Sequence, residues 1–182
     1  LMPFLHLPVQ SGSSNILRKM NRKYDTDYYL KIIERLKTVN PKIEISSDFI
    51  IGYPGETDSD FKKTLNLVDE IKFTQSYSFI YSPRPGTKSA VEKDETSLQI
   101  KKERLTILQE RLKEIQFEFN KSFCGKSTDV LIENQSVSNP EYFFGRTPFM
   151  QSVYVKSKKL KAGELKNVNI STCNHKNLYA TC

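Results

Sequence analysis

Short apolar runs alternate with helical patterns through the first part of the chain. Three segments have the character of strands, namely Pro3 to Val9, Ile43 to Ile51 and Ser76 to Tyr81. Between them, apolar residues recur every three or four positions, which is typical of amphipathic helices. Successive strands separated by helices pair in parallel through right-handed crossovers. The pattern therefore predicts an α/β fold built on a parallel sheet.

Individual residues indicate where the helices begin. Ser13 or Ser14 is suited to cap a short first helix, and Thr57 with Asp60 three residues later approximates a capping box. A long amphipathic helix is predicted from about 97 to 121. We expect its buried stripe to consist of Leu105, Leu108, Leu112, Ile115 and Phe119.

After Gly125 the pattern changes to short alternating runs separated by turn residues. Such runs at regular intervals predict a small antiparallel β-barrel. The predicted strands are Asp129–Glu133, Glu141–Gly145, Gln151–Lys156, Leu165–Ile170 and Asn177–Ala180. The chain is thus expected to hold an α/β domain over 1–118, including the long helix, and an all-β barrel over 119–182.

The charge of the chain is concentrated in the predicted barrel. The chain has 28 Lys and Arg against 21 Asp and Glu, giving a formal net charge of +7. Residues 119–182 contain nine of the basic residues and four of the acidic ones. Excess Lys on a small domain suits a polyanion such as RNA, although the same composition also serves solubility.

Other features of the composition exclude several classes of protein. No apolar run approaches the roughly 20 residues that a membrane span needs, so no membrane association is expected. Cys124, Cys173 and Cys182 are widely spaced, and with two histidines they predict neither a disulfide framework nor a metal site. We therefore expect a reducing compartment, the cytoplasm. Because the sequence starts without Met, we expect it to be part of a longer protein.

Each predicted parallel strand is followed by a polar loop containing glycine. The loops are Gln10 to Ser13, Gly52 to Glu56 and Ser82 to Thr87. In parallel α/β folds such loops line the ligand site, so the three are expected to surround one crevice. Gly12 would let a ligand approach the backbone. The alternative is that glycine and proline only end the strands.

Two acidic residues flank the end of the second predicted strand. Asp48 and Glu56 could each accept a hydrogen bond from a hydroxyl or amine of a bound cofactor. Alternatively, either residue only caps the next helix or accepts hydrogen bonds from backbone N–H groups. No catalytic residue is predicted.

Clusters of cations are candidates for contact with RNA phosphates. Arg18, Lys19, Arg22 and Lys23 lie within six residues, and Arg84 lies between two prolines that stiffen its loop. A second cluster, in the predicted barrel, contains Lys156, Lys158, Lys159 and Lys161. Four aromatic residues occur near this second cluster in sequence, and we expect about half of them to serve only the core: Phe143, Phe144, Phe149 and Tyr154.

Four segments together resemble the radical S-adenosylmethionine (SAM) methylthiotransferases. They are His6–Ser13, Met20–Tyr24, Ser47–Thr57 and Tyr81–Thr87. Within this family the likeness is greatest to the members that methylthiolate an isopentenylated adenosine beside the tRNA anticodon. Phe144–Thr147 and the five alternating runs also look like the TRAM domain, a small RNA-binding barrel.

The resemblance implies a six-stranded partial barrel of which this chain supplies the last three strands. The cofactors would be SAM and two 4Fe–4S clusters, with cluster ligands outside this chain. None of the three cysteines has the family's cluster spacing. The chain is therefore expected to be a C-terminal fragment that is inactive without the missing N-terminal half.

The resemblance also assigns site residues by loop. Gln10 and Ser11 would lie near the ribose and methionine portions of SAM. Asp48, Ile50 and Gly52 would flank the adenosine. Backbone contacts to the adenine edge would come from the segment containing Phe79, Tyr81 and Ser82. The anticodon stem-loop of tRNA would be bound by Arg18, Arg22, Arg84, Arg146, Lys156, Lys158 and Lys159.

Two other functions stay open. One is a separate RNA-binding module, in which the parallel part is only a scaffold for the barrel. The other is a methylthiotransferase that acts on ribosomal protein. A cysteine-rich cluster loop upstream of residue 1 would favour an enzyme, whereas a start codon at residue 1 would favour the module.

Overall fold

The computed structural model describes residues 2–92, 96–137, 139–157 and 159–181. The helices in these ranges are α1 (Ser14–Lys19), α2 (Thr26–Val39), α3 (Asp58–Ile71) and α4 (Leu98–Lys121), with a short 3-10 helix at Lys88–Ala90. The strands are β1 (Phe4–His6), β2 (Glu44–Ile51), β3 (Gln75–Ile80), β4 (Ser127–Gln135), β5 (Tyr142–Arg146), β6 (Ser152–Lys156), β7 (Leu165–Cys173) and β8 (Asn177–Thr181).

The chain divides into two compact units. One consists of Leu5–Leu112, and the other of Lys113–Cys182 with Leu1–Phe4. The domain boundary after residue 118 stays a prediction. None of the helices in the described ranges combines the length and the apolar character needed to cross a bilayer.

The first unit is built on a parallel sheet with the strand order β1-β2-β3. Strands β2 and β3 pair in parallel, and Gln10, just beyond β1, forms a parallel bridge with Phe49 of β2. One face of the sheet is buried, where the rings of Phe49 and Phe73 meet edge to face with their centroids 5.4 Å apart. The predicted α/β fold with a parallel sheet is confirmed.

Local capping fixes the starts of α1 and α3 as the sequence predicts. Ser13 caps α1, and Thr57 with Asp60 forms a complete capping box at α3. The buried carboxylate of Asp60 also accepts a hydrogen bond from the Ser13 hydroxyl, so it joins the two helix starts. Burial favours a higher pKa for Asp60, but the hydrogen bonds from Ser13 and Thr57 outweigh it, and the pKa is lowered.

Helix α4 buries charged residues as well as apolar ones. Leu108, Leu112 and Ile115 of the predicted stripe are buried, and its other two members are half-buried. Lys101 and Arg104, in the first two turns, are each only 7% exposed. Their burial was not predicted, because charged side chains count as solvent-facing in an amphipathic pattern.

The second unit contains a closed barrel with the strand order β4-β5-β6-β8-β7. Alternate side chains of its strands, together with Leu160 from the loop between β6 and β7, fill its apolar core. The strand residues of this core are Val130, Ile132, Phe143, Val153, Val155, Val168, Ile170, Leu178 and Ala180. The predicted five-stranded barrel is confirmed. The prediction was wrong in one respect: β6 and β8 pair in parallel, because β8 lies between β6 and β7.

Candidate functional site

Three glycine-containing loops lie at one edge of the parallel sheet. Because the strands are parallel, all three carboxyl ends are at the same edge. The loops there contain Gln10–Gly12, Gly52–Glu56 and Ser82–Gly86. The loops therefore lie at one edge of the sheet as expected, whereas a crevice between them and a ligand in it stay predictions.

Gln10 has a backbone conformation that is unusual for its residue type. Its φ is +74°, in the left-handed region that glycine favours. Two backbone hydrogen bonds of 2.9 Å hold it there, since its N–H donates to the Asp48 carbonyl and its own carbonyl accepts from the Ile50 N–H. The adjacent Ser11 is buried and accepts a hydrogen bond from the Ser13 N–H. Strained residues held in this way cluster at functional sites.

One face of the sheet presents aromatic and acidic groups together. The parallel register places Ile50 beside Phe79 and Asp48 beside Tyr77. Phe79 is 56% exposed and Tyr77 is 59% exposed, although both lie in the middle of a strand. Such a surface offers ring faces to a planar base and a carboxylate to hydroxyl groups.

Sequence reasoning missed two residues on this face. His6 lies against Asp48, with Nε2 3.5 Å from Oδ2, and its Nδ1 is 2.6 Å from the Ser46 hydroxyl. Tyr77 shares the face with Phe79, and the two-residue alternation along β3 was a signal that could have identified it. For His6 no local signal existed, since its position depends on the register between β1 and β2.

The structure corrects the expected role of Gly12. A Cβ atom at Gly12 would lie 2.4 Å from the Thr64 Cα and 2.6 Å from the Lys63 carbonyl oxygen, both on α3. The Gly12 N–H also donates a 3.0 Å hydrogen bond to the Thr64 hydroxyl. The space beside Gly12 is therefore filled by the backbone of α3, and the expectation that it admits a ligand was wrong.

Glu56 accepts a hydrogen bond from a backbone N–H group, which is one of the alternatives considered for it. It also pairs with Arg104 of α4, a contact that was not predicted. Its Oε2 accepts hydrogen bonds from the Gly52 N–H at 2.9 Å and from Arg104 Nη1 at 3.0 Å. Arg104 Nη2 lies 2.6 Å from Asp58. Burial raises the pKa of Glu56, and it outweighs the lowering effects of the Gly52 N–H and of Arg104.

Lys101 covers the same loop one turn earlier along α4. Gly52 has a φ of +71°, and a Cβ atom there would lie 2.5 Å from the Lys101 Cγ. Together, Lys101 and Arg104 hold the loop that follows β2. Neither residue was among the predicted site residues.

The segment after β3 is predicted to contact the adenine of the cofactor, and some of its groups already bind other parts of the protein. The Tyr81 N–H donates to the Ile51 carbonyl at 2.8 Å, and the Tyr81 ring meets that of Tyr53 edge to face at 4.9 Å. Because the Tyr81 N–H donates to the Ile51 carbonyl, it is not available to adenine. Other backbone groups of the segment would have to make the predicted contact. The next residue, Ser82, is exposed.

Arg18 and Arg22 converge on a basic cavity. The cavity has a volume of about 390 Å³ and is lined by Ser14, Arg18, Arg22, Lys23, Tyr24, Asp25 and Tyr28. Three cations against one carboxylate give it a positive potential that suits a phosphate group. The tyrosines were not predicted as lining residues; Tyr28 lies in the first turn of α2, and Tyr24 lies just before the cap of that helix.

Arg146, predicted to bind RNA, has partners on the barrel. Its Nε lies 3.2 Å from Glu133 Oε1, and its guanidinium lies over the Phe144 ring, 5.4 Å from the centroid. Both members of the ion pair are partly exposed. The carboxylate of Glu133 thus compensates part of the Arg146 charge, and the guanidinium is held beside the ring of Phe144.

The remaining predicted RNA contacts are at the surface. Lys156 Nζ lies 3.4 Å from Glu141 Oε2 in an exposed pair. Lys159 and Arg84 are exposed, and Lys158 lies outside the described residues. None of these positions is shown to bind RNA, and their role stays a prediction.

The described residues contain no group of three or more His, Cys, Asp or Glu side chains placed to hold a metal ion. Cys124 and Cys173 are free thiols. Cys182 lies outside the described residues. The resemblance puts the iron–sulfur ligands outside this chain, and that placement stays an expectation.

A model of the radical SAM superfamily matches residues 2–68. This part of the chain is similar to the radical SAM superfamily. The matched segment runs from β1 to within α3 and contains two of the three glycine loops at the sheet edge. It also includes five predicted cofactor-binding residues, which are Gln10, Ser11, Asp48, Ile50 and Gly52.

Curated relatives extend the likeness over most of the chain. The chain is 52% identical over 172 residues to the tRNA-2-methylthio-N(6)-dimethylallyladenosine synthase of Rickettsia felis, covering 94% of the chain and 38% of that protein. It is 54% identical over 155 residues to the enzyme of the same name from Rickettsia canadensis, covering 85% of the chain and 34% of that protein. The radical SAM family resemblance inferred from the four sequence segments is thus confirmed. The chain spans little more than a third of the length of these relatives.

Proposed function

We propose that this chain is the C-terminal portion of a radical SAM tRNA methylthiotransferase of the cytoplasm, in which it positions the cofactor and the tRNA. The observation that carries the proposal is the 52% identity to the Rickettsia felis synthase over 94% of the chain. The proposed substrate is the isopentenylated adenosine beside the anticodon. The proposed partner is the missing N-terminal half, which would provide the ligands of two 4Fe–4S clusters.

The exposed face of the parallel sheet fits half of a SAM site. When bound, SAM and its cluster would supply the radical chemistry that replaces an adenine C–H by C–S–CH3. Ile50 and Phe79 offer an apolar surface for the cofactor's adenine, beside the carboxylate of Asp48. The remaining proposed contacts are those of Gln10, Ser11, Gly52, Tyr81 and Ser82. The hydrogen-bonded conformation of Gln10 supports this assignment, since it orders the loop before a ligand binds.

The proposed activity is tested with the full-length protein, supplied with iron, sulfide and SAM without oxygen. Incubation with tRNA that carries the isopentenylated adenosine should give the methylthio nucleoside, detected by mass spectrometry of digested tRNA. Asp48→Asn should lower the rate by about tenfold or more, because a charged hydrogen-bond acceptor is lost. Asp69→Asn, at an exposed position of α3, is the control.

Two results would contradict the proposal. One is unmodified tRNA despite loaded clusters and consumption of SAM. The other is transfer of the methylthio group to a ribosomal protein but not to tRNA. Equal loss of activity in both Asp variants would remove Asp48 from the proposed site.

Cations of the first unit are proposed to bind phosphates of the anticodon stem-loop. The cavity lined by Arg18 and Arg22 is the best-formed site, and the exposed Arg84 could add another contact. On the barrel, the proposed contacts are Arg146, Lys156, Lys158 and Lys159. Their contribution would be positional, since phosphates carry no base identity.

Salt dependence measures the number of these contacts. Arg18→Gln with Arg22→Gln should weaken tRNA binding by the full-length protein and reduce the slope of log affinity against log salt by about 1.4 to 1.8 for two lost contacts. Fluorescence anisotropy at several salt concentrations gives the slope. Lys62→Gln, at an exposed site on α3, is expected to leave it unchanged. An unaltered slope in the double variant would refute this part of the proposal.

A further inference from the structure

Three aromatic rings stand side by side on the outer surface of the barrel. The strand register places Tyr154 between Phe144 and Tyr179. The ring centroids of Phe144 and Tyr154 are 5.5 Å apart, and those of Tyr154 and Tyr179 are 5.9 Å apart with planes only 19° from parallel. We call these three residues the aromatic row.

The barrel does not need the aromatic row for its core. Neighbouring residues on the same strands, Phe143, Val153 and Leu178, point inward and are buried. Side chains alternate along a strand, so the row must face outward. Of the aromatic residues near the lysine cluster, Phe143 is thus a core residue, whereas Phe144 and Tyr154 are on the surface. Adjacent large rings on a surface are characteristic of binding sites.

A cavity adjoins the row. It has a volume of about 370 Å³ and is lined by Ser136, Asn139, Tyr142, Tyr154, Asn177 and Tyr179. These residues are uncharged, and they combine ring faces with amide and hydroxyl groups. Asparagine amides can pair with the edge of a base, and tyrosine rings can stack on its face. This chemistry suits a nucleobase better than a phosphate.

Cations lie next to the row on the same outer face. Arg146 is two residues beyond Phe144 on β5, and its guanidinium lies over that ring. Lys156 is two residues beyond Tyr154 on β6 and is exposed. Barrels that bind single-stranded nucleic acid combine stacking rings with flanking cations in this way. Each cation also has a carboxylate partner, Glu133 or Glu141, in a partly exposed pair. The flanking groups are therefore polar, and they favour a nucleic acid over an apolar partner.

We infer that the cavity binds one unpaired nucleobase of a single-stranded RNA, which stacks on Tyr154 and Tyr179. Asn139 and Asn177 would face the edge of the base, and Arg146 and Lys156 would lie near the phosphates on either side. The inference extends the proposed function, because an unpaired base of the tRNA loop would be the natural occupant. This site would bind only a nucleotide that carries a base, whereas the proposed phosphate contacts would form with any nucleotide.

The test uses the full-length protein and a short single-stranded RNA containing 2-aminopurine, whose fluorescence is quenched by stacking. Binding of wild-type protein should quench it, and an RNA with an abasic site at that position should bind more weakly. Tyr154→Leu should lower affinity about tenfold and abolish the quenching, as expected for loss of one stacked base. Tyr154→Phe, which keeps the ring, should retain both.

The remaining outcomes separate this inference from the proposed function. If tRNA and single-stranded RNA bind equally well to wild type and Tyr154→Leu, the base site is refuted while the enzyme proposal stands. If single-stranded RNA binding requires Tyr154 but tRNA is never modified, the base site stands and the enzyme proposal fails. If Tyr154→Leu only dissociates a dimer in sedimentation, the row is a contact between copies and the inference is overturned. Asn177→Ala, with a thermal melt, replaces Tyr154→Leu should that variant not fold.

Discussion

Replacing Arg104 with leucine is expected to destabilise the first unit by roughly 3–5 kcal/mol, the usual cost of removing one partner of a buried ion pair. The substitution leaves the Glu56 carboxylate buried without its cation. It also removes one of the two α4 side chains that hold the loop after β2. Urea denaturation of the full-length protein, followed by hydrogen exchange of β2 amides, measures the loss.

A matched control lies two turns further along the same helix. Arg111 pairs with Asp69 at the surface, where both side chains are about half exposed. Arg111→Leu should therefore cost less than about 1 kcal/mol. A similar loss in both variants would mean that α4 is stabilised by its helical propensity and not by the buried pair.

The effect of the Arg104 substitution should depend on pH. Burial already raises the pKa of Glu56, and loss of the Arg104 charge raises it further. A group with a raised pKa contributes stability that is present below its unfolded pKa and is lost as the pH rises through its folded pKa. The Arg104→Leu penalty should thus be smallest in acid, and it should grow as Glu56 ionises. A penalty that is constant with pH would argue against a buried Glu56 charge.

Gly12→Ala is expected to cost about 3 kcal/mol, at the upper end for overpacking, because the added methyl group meets backbone atoms of α3 at 2.4 and 2.6 Å. Backbone atoms cannot relieve a clash by changing rotamer as a flexible side chain can, so α3 as a whole must shift. Gly163→Ala, outside the three loops of the sheet edge, is the control, since nothing lies within 4 Å of its Cβ position. Its φ of +84° alone should cost about 1–2 kcal/mol.

Unfolding free energies and SAM affinity of the two variants decide the role of Gly12. Equal, small losses of stability in both would show that α3 does not press on Gly12. Loss of SAM affinity at full stability would restore the interpretation that Gly12 admits the cofactor. We expect a loss of stability specific to Gly12.

Features that depend on neighbours in sequence were predictable. The cap of α1 was narrowed to Ser13 or Ser14, and the capping box at α3 was identified from two residues three positions apart. The alternation of apolar residues gave the barrel strands, and the order of strands and helices gave the parallel sheet. These features need no knowledge of which segments meet in space.

Features that depend on distant contacts were missed. Arg104 and Lys101 look solvent-facing until the loop after β2 provides partners and cover. The role of Gly12 required knowing that α3 crosses it. Likewise, His6 joins Asp48 only through strand register. At the candidate site, the sequence and the family resemblance therefore predicted which loops lie at the sheet edge. They did not predict which side chains contact one another there.

The parallel pairing of β6 with β8 has a consequence for biosynthesis. Strand β8 lies between β6 and β7, yet it is the last of the five to leave the ribosome. Until it emerges, β6 and β7 each carry an open edge that could pair with another nascent chain. A premature stop codon shortly before β8 would thus remove the strand that closes the ring and leave a product prone to aggregation.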